Sequence, residues 1–430
     1  MTDAATADAP RRRGGLWHHL DFRRLWIGDT VSQFGTMISQ LALPLVAINT
    51  LHASVFEVGL LTTFETLAFL LIGLPAGAWV DRMRHRRVLI VGDVVRALAL
   101  GSLPLAALVD ALTIGQLYVV ALTVGVATVF FDVAYQSYLP ELVSRTELVE
   151  GNAKLQASQS VAQVAGPSAG GALIQALTAP GAVFLDALSF LWSAAWLTRI
   201  RTRSVKPARK PDRHLGREIA TGLKFVAGNR LLRSIAMCTG TSNLFNSIGA
   251  AVYLVLLARE LDLSAGIIGL ITSTAAIGGL IGSLLAGRVA RRLGQGPAIW
   301  IPVALTAPAW FIVPFVHRDW TLALLAVGQI AFWGGVVVYN ITQVSFRQGL
   351  CPPELLGRMN ATMRFFVWGT MPLGGLIGAV LGAWLGTRET LFIAAVGMSL
   401  AFLPVFLSPL RTLRELPSYA EPPAEQHAPA

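Results

Sequence analysis

The chain has 430 residues, 54% hydrophobic and only 13% charged, against about 25% charged in a soluble domain. Its apolar residues gather in nearly uncharged runs of about 20, the length that crosses a hydrocarbon core, which excludes a set of water-soluble domains. The net charge of +10 does not indicate nucleic-acid binding, because 31 of the 34 Lys and Arg fall on one side of the expected spans and only Arg259, Arg318 and Arg388 on the other, the asymmetry of a positive-inside membrane protein.

In chain order, residues 1–23 form a basic cytoplasmic tail carrying Arg11, Arg12, Arg13 and Arg23, with no convincing cleavage site before the first apolar run, so helix 1 is expected to be retained. Six spans, starting near Leu25, Glu57, Val88, Gly115, Ala153 and Gly181, make up an N-terminal bundle over 24–200. A basic linker, 201–230, opens with Arg201, Arg203, Lys206, Arg209 and Lys210. Within it Leu215, Ile219, Leu223 and Val226 recur at helical spacing, the pattern of a membrane-surface amphipathic helix or of a solvated linker helix. Six further spans, starting near Leu231, Ala265, Pro297, Thr321, Met359 and Leu391, fill 231–410, and a cytoplasmic tail over 411–430 has a disordered composition.

The halves repeat one another. Ala76-Gly77 is followed by Asp81, Arg82, Arg84, Arg86 and Arg87, and Ala286-Gly287, 210 residues on, is followed by Arg288, Arg291 and Arg292. Pro140-Glu141-Leu142 and Asn152-Ala153 have counterparts in Pro353-Glu354-Leu355 and Asn360-Ala361. Such internal repeats are how many secondary transporters are built.

Soluble chemistry finds little support. Gly166-Pro167-Ser168-Ala169-Gly170 matches a hydrolase nucleophile pattern, but Ser168 lies in an apolar helix and all seven histidines (His18, His19, His52, His85, His214, His317, His427) are expected in loops or tails. No phosphate-binding Gly-Lys-Ser/Thr loop is present, so an enzyme and an ATP-driven pump are both disfavoured. Cys238 and Cys351 are far apart and without metal-ligand spacing; neither a disulfide, a metal nor a cofactor is expected.

An ion gradient then has to supply the work, and proton coupling needs an ionisable group inside the membrane. Such groups cost roughly 2.5 to 3.5 kcal/mol at the bilayer centre on insertion scales, so their retention suggests use. Glu65, among Thr62, Thr63, Phe64 and Thr66, Asp29 in helix 1 and Asp186 in helix 6 are the candidates. The alternatives are an interfacial pairing of Asp29 with Arg23 or Arg24 and a structural hydrogen bond at Glu65.

Two landmarks carry a family resemblance. Gly77-Ala78-Trp79-Val80-Asp81-Arg82, continuing through Arg86 and Arg87, resembles the loop between helices 2 and 3 of the major facilitator superfamily, with Arg84 where many members have glycine. Gly166-Pro167-Ser168-Ala169-Gly170-Gly171 is similar to the glycine-proline motif of that family's antiporters, although Ala162 stands where glycine is frequent. From Asp21 to Leu416 the chain resembles the family's bacterial drug and siderophore exporter branch.

The resemblance implies an all-α fold of twelve transmembrane helices in two pseudo-symmetric six-helix bundles that rock about a central site. It implies a cytoplasmic gate at Gly77, Asp81, Arg82, Arg84, Arg86 and Arg87, closing on the start of helix 11. Asp132, Asp93, Arg96 and Arg364 are further members of that network. A carboxylate at the end of helix 2 can pair with loop arginines and with the positive N-terminus of another helix.

By the same resemblance helices 1, 4, 7 and 10 line a substrate cavity through Gln33, Gln40, Tyr135, Gln136, Asn243, Asn246, Trp333, Tyr339, Asn340 and Gln343. Few fixed charges amid rings suit an amphiphilic compound. The buried arginine that proton antiporters of the family often carry in helix 4 has no counterpart between Gly115 and Phe131. The expected function is export of a drug, secondary metabolite or siderophore from the inner membrane in exchange for protons, by a monomer whose partners are substrate, protons and lipid. The alternatives are proton-linked nutrient uptake and a non-transporting sensor or scaffold.

Overall fold

A computed structural model describes residues 15–80, 82–144, 147–202, 223–351 and 356–414. The chain is helical almost throughout: α1 (Leu20–Leu45), α2 (Val55–Val80), α3 (His85–Leu108) and α4 (Ile114–Leu142) are followed by a continuous stretch, Leu148–Thr198. After it come α7 (Arg230–Val255), α8 (Ala265–Leu293), α9 (Pro297–Thr306), α10 (Thr321–Leu350), α11 (Leu356–Trp384) and α12 (Thr387–Leu400). Among the described residues, eleven segments are long and apolar enough to cross a membrane. One of them, Glu150–Thr198, has 49 residues and would be about 74 Å long as a single helix, more than twice a bilayer core of roughly 30 Å. It turns back at Thr178, whose φ of 70° and ψ of 165° are not helical. The two arms, α5 (148–177) and α6 (179–198), are separate crossings, so the described residues make twelve.

Leu, Ala, Val and Ile on all sides of each segment leave no polar face, and in lipid every backbone N–H and C=O must then be satisfied within its own helix. Side-chain caps close the starts. Thr113 accepts from Gln116 N at α4, Ser264 from Ile267 N at α8, and Asn229 from Leu231 N and Leu232 N at α7. α9 continues as a 3-10 helix over Ala307–Phe315, where prolines withhold the amides that an α-helix would use. Large apolar side chains point outward, among them Leu284 at 72% and Leu305 at 75% exposure, as lipid-facing positions do.

The sequence repeat is a structural one. α1 and α7 both end in a five-residue π-helical turn, Val46–Thr50 and Leu256–Glu260. Each turn is followed by a left-handed residue, His52 (φ 50°) and Asp262 (φ 46°); both landmarks are 210 residues apart.

In the N-terminal half α1 packs on the α5–α6 stretch, α3 on α4 and on that stretch, and α2 on α4; in the C-terminal half α7 packs on α11 and α12, and α8 on α10. The halves meet where α2 crosses α11 and α5 crosses α8. Residues 223–228 form a short helix before α7 in which Val226 is buried and Leu223 exposed. The rest of the expected linker helix, with Leu215 and Ile219, and most of the C-terminal tail lie outside the described residues.

α1 reaches α6 only because its contact face is small. A Cβ on Gly35 would lie 2.2 Å from both Asp186 Oδ1 and Ser189 Oγ, and Gly28 rests on Ser193 and Trp196. Gly35→Leu should destabilise the chain by about 1 to 3 kcal/mol or more through overpacking, read as a lower unfolding temperature in detergent. Gly73→Leu, at a position with nothing within 4 Å, should leave that temperature unchanged.

Candidate functional site

The seam between the halves lies at the end of the bundle opposite both termini. A Cβ on Gly171 would sit 2.3 Å from the carbonyl oxygen of Ala265, and one on Gly269 2.3 Å from that of Pro167, so α5 and α8 touch backbone to backbone, as small residues permit in membranes. Ser168 N donates to Ser273 Oγ at 3.1 Å, and the two hydroxyls are 2.7 Å apart. The second crossing repeats the first, with Gly59 against Ala379 and Gly375 against Thr63. Gly59 with Gly269 and Thr63 with Ser273 are again 210 residues apart.

Gly166 and Gly170 face the other way, onto Met37 and Ile38 of α1. Arg259, in the π-helical turn of α7, adds a hydrogen bond to Ala53 O at 2.6 Å, joining that turn to the loop after α1. These hydrogen bonds across the halves lie together at this end of the bundle. Ser168, the residue that matches a nucleophile pattern, is a seam residue.

A second constellation lies inside the N-terminal bundle. Asp29 of α1, Asp93 and Arg96 of α3 and Asp186 of α6 are all buried, with no more than 5% exposed, and lie within electrostatic reach of one another. Arg96 Nη2 donates to Asp93 Oδ1 at 2.5 Å. Its guanidinium is clamped between Phe131 and Phe190, 4.2 Å from each ring centroid, a cation–π arrangement strengthened by desolvation. Asp186 Oδ1 accepts from Ser189 Oγ at 2.9 Å, and Asp29 has Tyr135 and Gln33 as polar neighbours.

Three carboxylates thus face one arginine. Asp93 Oδ2 is enclosed and has no hydrogen-bond partner among the described residues. Glu65 stands apart on α2, where its carbonyl abuts Gly125 of α4; its Oε1 is likewise enclosed and unbonded.

The structure separates residues that the resemblance groups together. Asp93 and Arg96 belong to the buried cluster within the bundle, not to the loop between α2 and α3. Arg86 is tied inside its own half, donating to Leu197 O at 3.0 Å and to Thr198 O at 2.5 Å, and Arg82, Arg84 and Arg87 are exposed. Asp132 is half-buried one turn before Tyr135. Gly77 lies in the last turn of α2, Arg364 belongs to α11, and Asp81 falls outside the described residues. Arg24 is paired with Asp21 at 2.7 Å rather than with Asp29. His85, expected in a loop, begins α3 and is buried with its Nδ1 2.8 Å from Glu141 Oε1.

The expected cavity residues divide in the same way. Gln40, Gln136 and Asn340 are exposed, while Gln33, Tyr135, Asn243, Asn246 and Trp333 are half-buried. Tyr339 is buried and its hydroxyl pairs with that of Thr239, fastening α10 to α7. Asn243 donates to Val367 O of α11 at 2.9 Å, and Trp333 Nε1 to Gln329 Oε1 at 3.1 Å. Gln343 is buried with an unbonded Oε1.

Sequence reading missed three anchors. Asp21 accepts from Arg201 N, Thr202 N and Thr202 Oγ1, fastening the start of α1 to the chain leaving α6; an acidic residue in a first helical turn was its only signal. Gln329 donates to Tyr253 OH at 3.0 Å. Arg388 bonds Pro314 O and Val316 O and lies 3.3 Å from Glu260.

Comparison with known proteins agrees with this architecture. The chain is 26% identical over 396 residues to a multidrug efflux pump, Tap, of Mycolicibacterium fortuitum, covering 88% of this chain and 93% of that one. It is 24% identical over 412 residues to the enterobactin exporter EntS of Citrobacter koseri, covering 94% of each. Among solved structures it resembles a bacterial homologue of the iron transporter ferroportin in an inward-facing state, with a TM-score of 0.74, 16% identity and coverage of 90% of this chain and 98% of that one. The nucleoside transporter NupG, in a D323A mutant, gives a TM-score of 0.73 at 12% identity over 90% of this chain and all of the other. The family model described as transmembrane secretion effector matches residues 16–428: the chain is a multi-pass membrane transporter of the major facilitator fold and belongs to the transmembrane secretion effector family.

Proposed function

We propose that the chain exports a small amphiphilic compound, of the drug, secondary metabolite or siderophore class, by proton antiport and alternating access. The activities for which its relatives are named, multidrug efflux and enterobactin export, support the direction and the substrate class. The basic side of the chain, with both termini, is cytoplasmic on the positive-inside argument. The halves 24–200 and 231–410 move as bodies joined by the linker 201–230, and substrate sits between α1, α4, α7 and α10. Few fixed charges and the ring of Trp333 suit an amphiphile there.

The observation that carries the coupling is the buried set of three carboxylates around Arg96. Were all three ionised, two negative charges would be uncompensated in a low-dielectric bundle, a costly state that pairing or proton uptake removes. Glu65 Oε1, enclosed and unbonded, is an atom on which a proton can reside. Proton release to the cytoplasm and substrate release to the far side then follow opposite states of the seam. One proton moving down 100 mV supplies about 2.3 kcal/mol, a gradient of roughly 50-fold for a neutral substrate.

In an efflux-deficient bacterium the chain should lower accumulation of a fluorescent amphiphilic dye, and a protonophore should abolish the effect. Glu65→Gln, Asp29→Asn and Asp186→Asn are tested singly, and the proton carrier among them should bring that roughly 50-fold ratio towards one. Asp81→Asn, at the gate, should slow export. Full protonophore-sensitive export by all three carboxylate variants would remove them as carriers.

Alternating access requires the seam to part. With the hydroxyls of Ser168 and Ser273 2.7 Å apart, the pair Ser168→Cys and Ser273→Cys should oxidise to a disulfide, with little background because Cys238 and Cys351 are buried. Export should then fall at least ten-fold and return on reduction; undiminished export by the fully cross-linked chain would refute a seam that opens.

A further inference from the structure

The N-terminal half carries a cavity apart from the seam and the carboxylate cluster. It has a volume of about 840 Å³ and runs between α3 and α4, lined by Arg82, Arg84 and Arg87 at one end and by residues such as Val91, Val95, Val126 and Phe130 along its walls. Among the described residues, none that lines it is acidic. The walls run along α4 from Leu122 to Phe130, a rise of about 12 Å along the helix, close to the depth of one leaflet of a roughly 30 Å core.

The groove faces outward. Val91, a wall residue, continues at seven-residue steps into Leu98 and Leu105, and the three are 60%, 68% and 62% exposed, which defines one lipid-facing stripe of α3. Arg84, seven residues before Val91, is exposed at the head of the same stripe. A cationic mouth at the loop level above an apolar trench of leaflet depth complements a molecule that is anionic at one end and hydrocarbon at the other. The membrane itself supplies such a molecule in that place and orientation.

We propose that this groove is a binding site for an acidic phospholipid of the leaflet on the side of the termini, its phosphate held by Arg84 and Arg87 and its acyl chain laid between α3 and α4. Arginine matches phosphate through two parallel hydrogen bonds, and basic pockets between transmembrane helices select anionic headgroups. The site adds a partner to the loop between α2 and α3. Headgroup occupancy sets the charge that the loop presents, so lipid composition becomes an input to transport.

The test is native mass spectrometry of the purified full chain in detergent, titrated with phosphatidylglycerol or with phosphatidylcholine. Phosphatidylglycerol should bind preferentially, and each arginine should contribute about five-fold, the equivalent of about 1 kcal/mol per basic residue near anionic lipid. Arg84→Gln with Arg87→Gln should therefore weaken its binding about 25-fold, and the double Lys variant should keep most of it. Thr123→Trp, which fills the trench and leaves the charge alone, should also displace the lipid. Arg288→Gln with Arg291→Gln, an equal loss of charge in the other half, should not.

Equal binding of the two lipids would overturn the proposal. So would an equal effect of the two Arg-to-Gln pairs, or displacement of the lipid by inorganic phosphate at the same concentration. A dimer that forms without lipid and is lost in Thr123→Trp would assign the groove to a second copy of the chain instead.

Discussion

The architecture depends on two places where helices of opposite halves meet through glycines, with only small side chains between them. Gly171 and Gly269 bring α5 and α8 to a distance at which each helix presses against a carbonyl of the other. Such a contact is built from dispersion and close fit. Because apolar side chains gain nothing by leaving lipid for another apolar surface, a membrane bundle cannot rely on the hydrophobic effect to hold its halves together. Close contact combined with the Ser168–Ser273 hydroxyl pair gives a joint that is definite in register.

The N-terminal bundle is held differently. Arg96, Asp93, Asp186 and Asp29 are enclosed on α1, α3 and α6, and half-satisfied polar networks in low dielectric carry a high penalty. Their cohesion comes from pairing inside an enclosed site. Buried charge therefore sits within one half and close packing between the halves. The link between them runs through α1. Gly35 rests on Asp186 and Ser189, while Met37 and Ile38, within one turn, meet Gly166 and Gly170 of α5, the helix that forms the seam.

Much of this was legible in the sequence, and the reasons are specific. Twelve spans could be counted because lipid forbids a polar face, and the repeat was readable because Gly77 and Gly287 keep the same neighbours 210 residues apart. The glycine-proline motif marked the seam helix because close contact needs small residues whatever surrounds them. The role of Arg96 was not legible: by resemblance Asp93 and Arg96 read as members of the cytoplasmic gate network, since nothing local reveals that Phe131 and Phe190, from two other helices, close over the guanidinium. Nor could the sequence separate Tyr339 from a cavity-lining residue, because its partner, Thr239, is 100 positions away. Arg259 read as a stray charge on the wrong side, whereas it ties the turn after α7 to the loop after α1, across the halves. Periodicity reports which face is apolar; it does not report which of two polar faces meets a partner.

Asp21 has a mechanical consequence. Its carboxylate fastens the first turn of α1 to Arg201 and Thr202, so the six staves of the N-terminal half form a hoop whose two ends are clasped at one point. The linker leaves from that clasp. Any pull transmitted along the linker is delivered to α1 and α6 together, as torque on a closed hoop, and does not peel one stave away from the rest.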